Sequence, residues 1–369
     1  MGSAAPSARA PPDRPPPASE FGLWCWLRRN LFASPLHAVL TVLALYALYR
    51  IVPPLFNWAL WQADFRGSTA ADCTSGGACW VFIKVRLSQF LYGFYPESER
   101  WRVWLLFLGI TPATFLALWC CEGKKRLLAL LFALFVLPVL SWYLLRGGVF
   151  GLPEVRPNLW GGMMLTLVVA SAGLVFSLPF GVLLALGRTS DMPFLRGVCV
   201  AFIELWRGVP LVTVLFMANV MLPLFLPPSW HIDNLMRALI GVALFASAYM
   251  AEVVRGGLQA IPRGQFEAAD SLGLGYWAKM RLVILPQALT TVIPGITNTF
   301  VGLFKDTTLV SIIGLYDFLG IVHSAGQDPA WLGHGMEGYA FCALVYFLLC
   351  YGMSHTSYRI ERHFTPERA

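Results

Sequence analysis

Residues Gln265–Leu289 read QFEAADSLGLGYWAKMRLVILPQAL. The stretch holds Glu267, Asp270, Lys279, Arg281, two glycines and Pro286, and it lies between long apolar runs. Its surroundings decide how it is read. Of the 369 residues 57% are hydrophobic and only 13% are charged, whereas a soluble domain carries about 25% charged residues. With half the usual supply for a wetted surface, apolar runs of about eighteen residues or more read as bilayer spans. The fold class is therefore all-α integral membrane protein.

About eight transmembrane helices are expected, near 36–56, 102–121, 127–146, 160–186, 198–222, 236–254, 287–304 and 338–354. Two are irregular in sequence: the fifth contains Glu204 and Arg207, the seventh Pro294-Gly295. Lys and Arg favour the cytoplasmic ends of spans. Arg28 and Arg29 precede the first span, and alternation then brings Lys124, Lys125, Arg126, Arg188, Arg196, Arg255, Arg263, Lys279, Arg281, Arg359 and Arg362 to the same side. Both termini are thus expected in the cytoplasm, and so is the quoted stretch. The net charge of +7 serves orientation rather than nucleic acid, because the basic residues sit in short connections and not in one phosphate-tracking stripe.

Four regions follow. Residues 1–30 are proline-rich and low in aliphatics, and are expected as a disordered cytoplasmic tail. Residues 31–155 form a three-span extension with an outer loop at 60–100. Residues 156–360 form a five-helix core containing nearly all the intramembrane polarity and a cytoplasmic loop at 255–286, and 361–369 form a second tail. Cys73 and Cys79 lie in ADCTSGGACW, a polar glycine-rich loop placed outside by the orientation, where a disulfide between them is possible. No second cysteine pair or nearby histidine makes this a zinc site. The remaining cysteines sit in or beside apolar runs and read as small hydrophobes.

In the quoted stretch, QFEAADSLG is a candidate short helix. Glu267 and Asp270 are expected in its first turn, where carboxylates suit the helix dipole, and Gly273 can end it in a left-handed conformation. Gly275 adds a second flexible point. Such a helix, lying across the membrane surface, can dock into a groove on a cytoplasmic partner or merely tie two spans together.

Glu267-Ala268-Ala269, Gly273, Val283, Leu285 and Pro286 match EAA-x3-G-x9-I-x-L-P, with Val283 at the usual isoleucine position. The chain thereby resembles the permease subunits of ABC importers. EVVRGGLQAIPRGQFEAADSLGLGYW, ELWRGVPLV and LFKDTTLVSIIGL resemble the polar amino-acid branch (histidine, glutamine and general L-amino-acid systems). The likeness covers about 155–360, and the early spans resemble the longer permease of general L-amino-acid uptake systems. The resemblance implies a bacterial inner-membrane, multi-pass permease that passes L-amino acids with a periplasmic solute-binding protein. It also implies a second homologous permease, more a heterodimer than a homodimer, and a cytoplasmic ATPase dimer in whose clefts Glu267, Ala268, Ala269 and Gly273 sit. ATP with magnesium would bind on those ATPase subunits. The chain itself has no G-x4-GK-[ST] phosphate loop, no H-E-x-x-H and no nucleophile elbow, so it is expected to be no enzyme and to hold no cofactor or metal.

Polar residues inside spans usually face water, a partner or substrate. Glu204 and Arg207 are three apart and can pair across one helical turn. Alternatively RGVP breaks the helix there and exposes Arg207 to an amino-acid carboxylate. Lys305 and Asp306 offer opposite charges to a zwitterion or fix each other in a gate, and Asn298 supplies a neutral partner nearby. These five residues are the candidate translocation path. An ion-coupled secondary transporter is the competing reading, although it would be expected to show repeated halves with paired broken helices.

Overall fold

The computed structural model describes residues 23–120, 123–149, 151–227, 229 and 232–364. They are helical almost throughout, with no strand beyond three isolated bridges. Of the expected tails, only Leu23–Asn30 and the end of the Gly335–Phe364 helix lie within the described residues, and both are helical. The chain divides into two compact units, Met1–Phe65 with Ala71–Cys79, and Arg66–Ala70 with Trp80–Ala369.

The first unit contains one long apolar helix, Pro35–Phe56, none of whose residues is buried. Ser34 caps it, accepting from the His37 N–H, and Pro35 occupies the first turn, where no backbone donor is needed. The helix runs on through a wide turn, Asn57–Trp61, into a small closed loop. There Cys73 and Cys79 are disulfide-bonded with Cα atoms 5.7 Å apart. Ser75 donates through its backbone and hydroxyl to Asp64, at 3.1 and 2.7 Å, and these bonds hold the Asp64 carboxyl below its ordinary range.

In the second unit Gly162–Arg188 and Asn234–Ala260 pack along their length. Small residues bring them together: a Cβ on Gly181 would lie 2.7 Å from the Met250 Cβ. In a bilayer, where lipid is as apolar as leucine, this close packing replaces hydrophobic drive between helices. The Gly335–Phe364, Ile293–Asp306 and Trp80–Tyr92 helices complete the surroundings of that pair.

Among the described residues five helices are long and apolar enough to cross a bilayer, or seven when each of two bent pairs counts as one span. The expected second span is a continuous helical run from Arg100 to Cys120, outside that set. The bent pairs are the two irregular spans. Pro193–Gly208 meets Leu211–Phe225 at 105°, with Val209 extended ahead of Pro210 as a residue before proline prefers. Tyr276–Thr291 meets Ile293–Ile313 at 61°, beside Pro294.

Other prolines bend nothing so sharply. Pro112, Pro138, Pro223 and Pro286 each stand two residues after a wide, π-type turn: Leu105–Ile110, Phe132–Val136, Met217–Met221 and Met280–Ile284. A proline ring strikes the carbonyl one turn back in a regular helix, and widening that turn moves the carbonyl aside. The helical run that starts at Tyr276 therefore continues past Pro286 to Thr291.

Candidate functional site: a docking helix and an arginine network

The surface element of the quoted stretch is the helix Arg263–Ser271. It starts two residues before Gln265, so Glu267 falls mid-helix and Asp270 in its last turn, not in the first turn as expected. The cause is Pro262, which ends the preceding Asn234–Ala260 helix region and nucleates the next as its N-cap. The far end closes as expected at Gly273, with φ +72°. The Gly273 N–H donates to the Asp270 carbonyl at 2.9 Å and the Leu274 N–H to that of Ala269 at 3.2 Å. Those two bonds form the paired helix stop that glycine favours.

Two side chains seat the helix. Ala269 is 2% exposed, and Phe266 packs on a core of Leu186, Met250, Val254, Leu258, Ile284 and Ala288. Lys279 reaches back 2.5 Å to Asp270, and Gln287 donates to Gln265 at 3.1 Å. Glu267, Ala268 and Gly273 face outward. Leu272 at 78% and Trp277 at 69% exposure extend that face with apolar surface. The four motif residues thus divide: three present a surface and Ala269 anchors it.

Glu204 and Arg207 do not pair with each other. Glu204 meets Arg188 at 3.0 Å, while Arg207 lies 3.7 Å from Glu252 and 5.6 Å over the Tyr249 ring. Tertiary packing offers better partners than the helical neighbour, because Glu252, at 15% exposure, gathers three guanidinium groups. Arg188 stands 2.7 Å from it, Arg255 2.8 Å and Arg207 3.7 Å. Arg255 is held further by Gln259 at 2.7 Å. With Glu204 the network has three positive and two negative charges on three helices, Gly162–Arg188, Pro193–Gly208 and Asn234–Ala260. Sequence reasoning missed Glu252 and Arg188 as members. The spacing of Glu252 and Arg255 was a signal for one pair, but nothing local showed that Arg188 would join it.

Asn298, Lys305 and Asp306 lie on Ile293–Asp306. Asn298 and Lys305 are exposed and Asp306 half-buried, and among the described residues neither charge has an ion-pair partner within 4 Å. No hydrogen bond or ion pair joins this group to Glu204 or Arg207 among those residues. Thr299, Thr307 and Thr308 bond their own helix carbonyls at Gly295, Phe304 and Lys305. After Asp306 a tight turn of helix, Thr307–Ile313, ends at Gly314 with φ +81°.

The family model described as "Binding-protein-dependent transport system inner membrane component" matches residues 177–364, which include the arginine network, the Arg263–Ser271 helix and Ile293–Asp306. The chain is 51% identical over 97% of its length, and 97% of the relative's, to "Inner membrane amino-acid ABC transporter permease protein YhdY" of Escherichia coli (strain K12). It is 41% identical over 95% of both chains to "Glutamate/glutamine/aspartate/asparagine transport system permease protein BztC" of Rhodobacter capsulatus. A solved structure, "Crystal structure of an amino acid ABC transporter with histidines", is 30% identical over 55% of this chain and 92% of its own, with a TM-score of 0.47.

Proposed function

Since the chain belongs to the inner-membrane components of binding-protein-dependent transport systems, we propose that the Arg263–Ser271 helix is the point at which an external ATPase drives it. The protein is the membrane-spanning permease subunit of an ABC importer for amino acids. It is a transport subunit of an inner membrane rather than an enzyme. Its partners on this reading are a cytoplasmic ATPase dimer that holds ATP and magnesium, a periplasmic solute-binding protein and a second, homologous permease. Both termini face the cytoplasm, and the substrates are L-amino acids.

One observation carries the coupling role: a helix with exposed Glu267 and Ala268 is clamped to the core by Ala269 and Phe266. A rigid element presented by a packed anchor transmits a push; a loose surface tie does not. Motion imposed on it enters Asn234–Ala260 through Ile261 and Pro262, and that helix carries Glu252 and its three arginines. The Glu204, Arg207, Asn298, Lys305 and Asp306 path is supported by polar and charged groups placed within candidate membrane spans, where they are costly unless used. The relatives named above give an ion-coupled mechanism no support.

The test is ATP hydrolysis in proteoliposomes with binding protein and amino acid, comparing the wild type with Glu267→Lys and Gly273→Asp. Stimulation in wild type alone, with all forms inserted and assembled, is the expected result. Normal hydrolysis and transport by both variants would sink the coupling role.

A further inference from the structure

At the opposite end of Asn234–Ala260 from the arginine network, a cleft of about 330 Å3 opens, a size at the small end of ligand sites. Arg146, Glu154, Arg156, Asn158, Asp233 and Asn234 supply its polar lining. Three segments bring them together: the end of Leu137–Arg146, the connection before Gly162–Arg188, and the start of Asn234–Ala260. Gly314 and Leu315 form another wall, immediately after the tight turn that follows Lys305 and Asp306. The cleft wall is therefore joined to Lys305 and Asp306 by the single short helix Thr307–Ile313.

Its charges are balanced in number but not in pairing. Arg146 alone serves both carboxylates, at 3.2 Å from Asp233 and 3.4 Å from Glu154, and its guanidinium also lies 5.8 Å from the Trp142 ring. Arg156 is exposed and has no carboxylate within 4 Å among the described residues. Asn234 donates to the Ile313 carbonyl at 2.8 Å, while its buried side-chain oxygen accepts from nothing among those residues. Asp233 stands at the helix N-cap but accepts no bond there. Arg156 thus has no anion beside it, and two carboxylates share the single Arg146 as their cation. A single small molecule bearing one carboxylate and one ammonium supplies both.

We propose that this cleft is a receiving site for a zwitterionic amino acid. Arg156 takes the α-carboxylate, while Glu154 and Asp233 take the ammonium. The proposal rests on the reading of the chain as an amino-acid permease and adds to it a site outside the five path residues. It also gives the extension a task, since Arg146, Glu154 and the wall they form come from residues before the core's first helix.

The experiment uses the assembled transporter in nanodiscs without binding protein, with L-glutamine as probe and saturation-transfer NMR as readout. Decarboxylated glutamine and N-acetylglutamine each lack one of the two charges. Arg156→Gln and Glu154→Gln are compared with Glu97→Gln, an exposed acidic residue paired with Arg100 elsewhere. L-Glutamine is expected to bind wild type and Glu97→Gln, about tenfold or more weakly to the two cleft variants, and the one-charge analogues not to bind. Equal binding to all forms, or equal binding of the analogues, overturns the proposal. In a parallel hydrolysis assay with binding protein added, a raised half-saturating concentration of binding protein in the cleft variants, with L-glutamine binding unchanged, also overturns it and makes the cleft a protein-docking contact. Hydrolysis in the wild type stimulated by binding protein and glutamine shows that the permease reading stands even where the cleft fails. Its absence marks the failure of that reading.

Discussion

The Arg188 guanidinium lies 2.7 Å from a carboxylate oxygen of Glu252 on another helix. It also meets Glu204 at 3.0 Å, but the two carboxylates differ: Glu252 is 15% exposed and Glu204 57%. Removing one partner of an enclosed ion pair leaves an uncompensated charge and costs about 3–5 kcal/mol, whereas an exposed pair is worth about 0–1 kcal/mol. Glu252→Ala should therefore lower the melting temperature of the assembled complex far more than Glu204→Ala. Equal shifts would show that Glu252 does not organise the network.

Gly273 and Gly275 stand two residues apart, and only one is conformationally obligatory. Gly273 has φ +72°, while Gly275 has φ −64°, and a Cβ at either would meet nothing within 4 Å. Gly273→Ala is expected to cost about 1–2 kcal/mol for the left-handed backbone, and Gly275→Ala to be near neutral. Thermal unfolding of the two variants, with binding-protein-stimulated hydrolysis measured alongside, decides it; the reverse order refutes the helix stop described for Gly273.

A Cβ on Gly257 would come 2.6 Å from the Ala288 carbonyl, whereas one on Gly264 would meet nothing within 4 Å. Gly257→Ala must push Asn234–Ala260 away from Leu285–Thr291, and overpacking of this kind costs about 1–3 kcal/mol. Gly264→Ala should leave stability unchanged. A Gly257→Ala protein as stable as wild type would mean that these helices separate freely.

Tyr95 donates its hydroxyl to the Leu145 carbonyl at 2.8 Å, and burial pushes its phenol from 10 up to about 12. Below pH 10 the phenol is neutral in folded and unfolded chains alike, so its contribution is complete. As pH rises from 10 to about 12 only the unfolded chain ionises readily, and about 2–3 kcal/mol is lost. Alkaline unfolding curves should show this component in wild type and not in Tyr95→Phe. Parallel curves for the two proteins would remove Tyr95 as its source.

The Cys73–Cys79 bond closes a loop already held by Ser75 and Asp64. Maleimide should label neither sulfur until a reductant is added. Labelling of Cys73 without reductant would show that the bond does not form in the membrane-embedded protein.

Much was legible in one dimension. Scarcity of charge set the membrane class, and periodic apolar runs set the helices. The spans interrupted by Gly208-Val209-Pro210 and by Pro294-Gly295 were recognisable as irregular, and both are broken. Gly273 announced its helix stop, because left-handed backbone strongly selects glycine. Sequence also placed Cys73 and Cys79 in one small loop, although only the structure shows the bond.

What sequence could not decide is which groups meet across helices. Spacing on one helix paired Glu204 with Arg207, yet packing gave them Arg188 and Glu252 from other helices. The EAA pattern grouped Glu267, Ala268, Ala269 and Gly273 without distinguishing the inward Ala269 from the outward three, since that depends on which face the core captures. Likewise Asp233 is far along the chain from Arg146 and Arg156 and shares a cleft with them only after folding. Local backbone preference and hydrophobic period act within about one or two turns and can be read in order. Ion pairs and anchoring faces depend on how long helices cross, and only the tertiary structure fixes that.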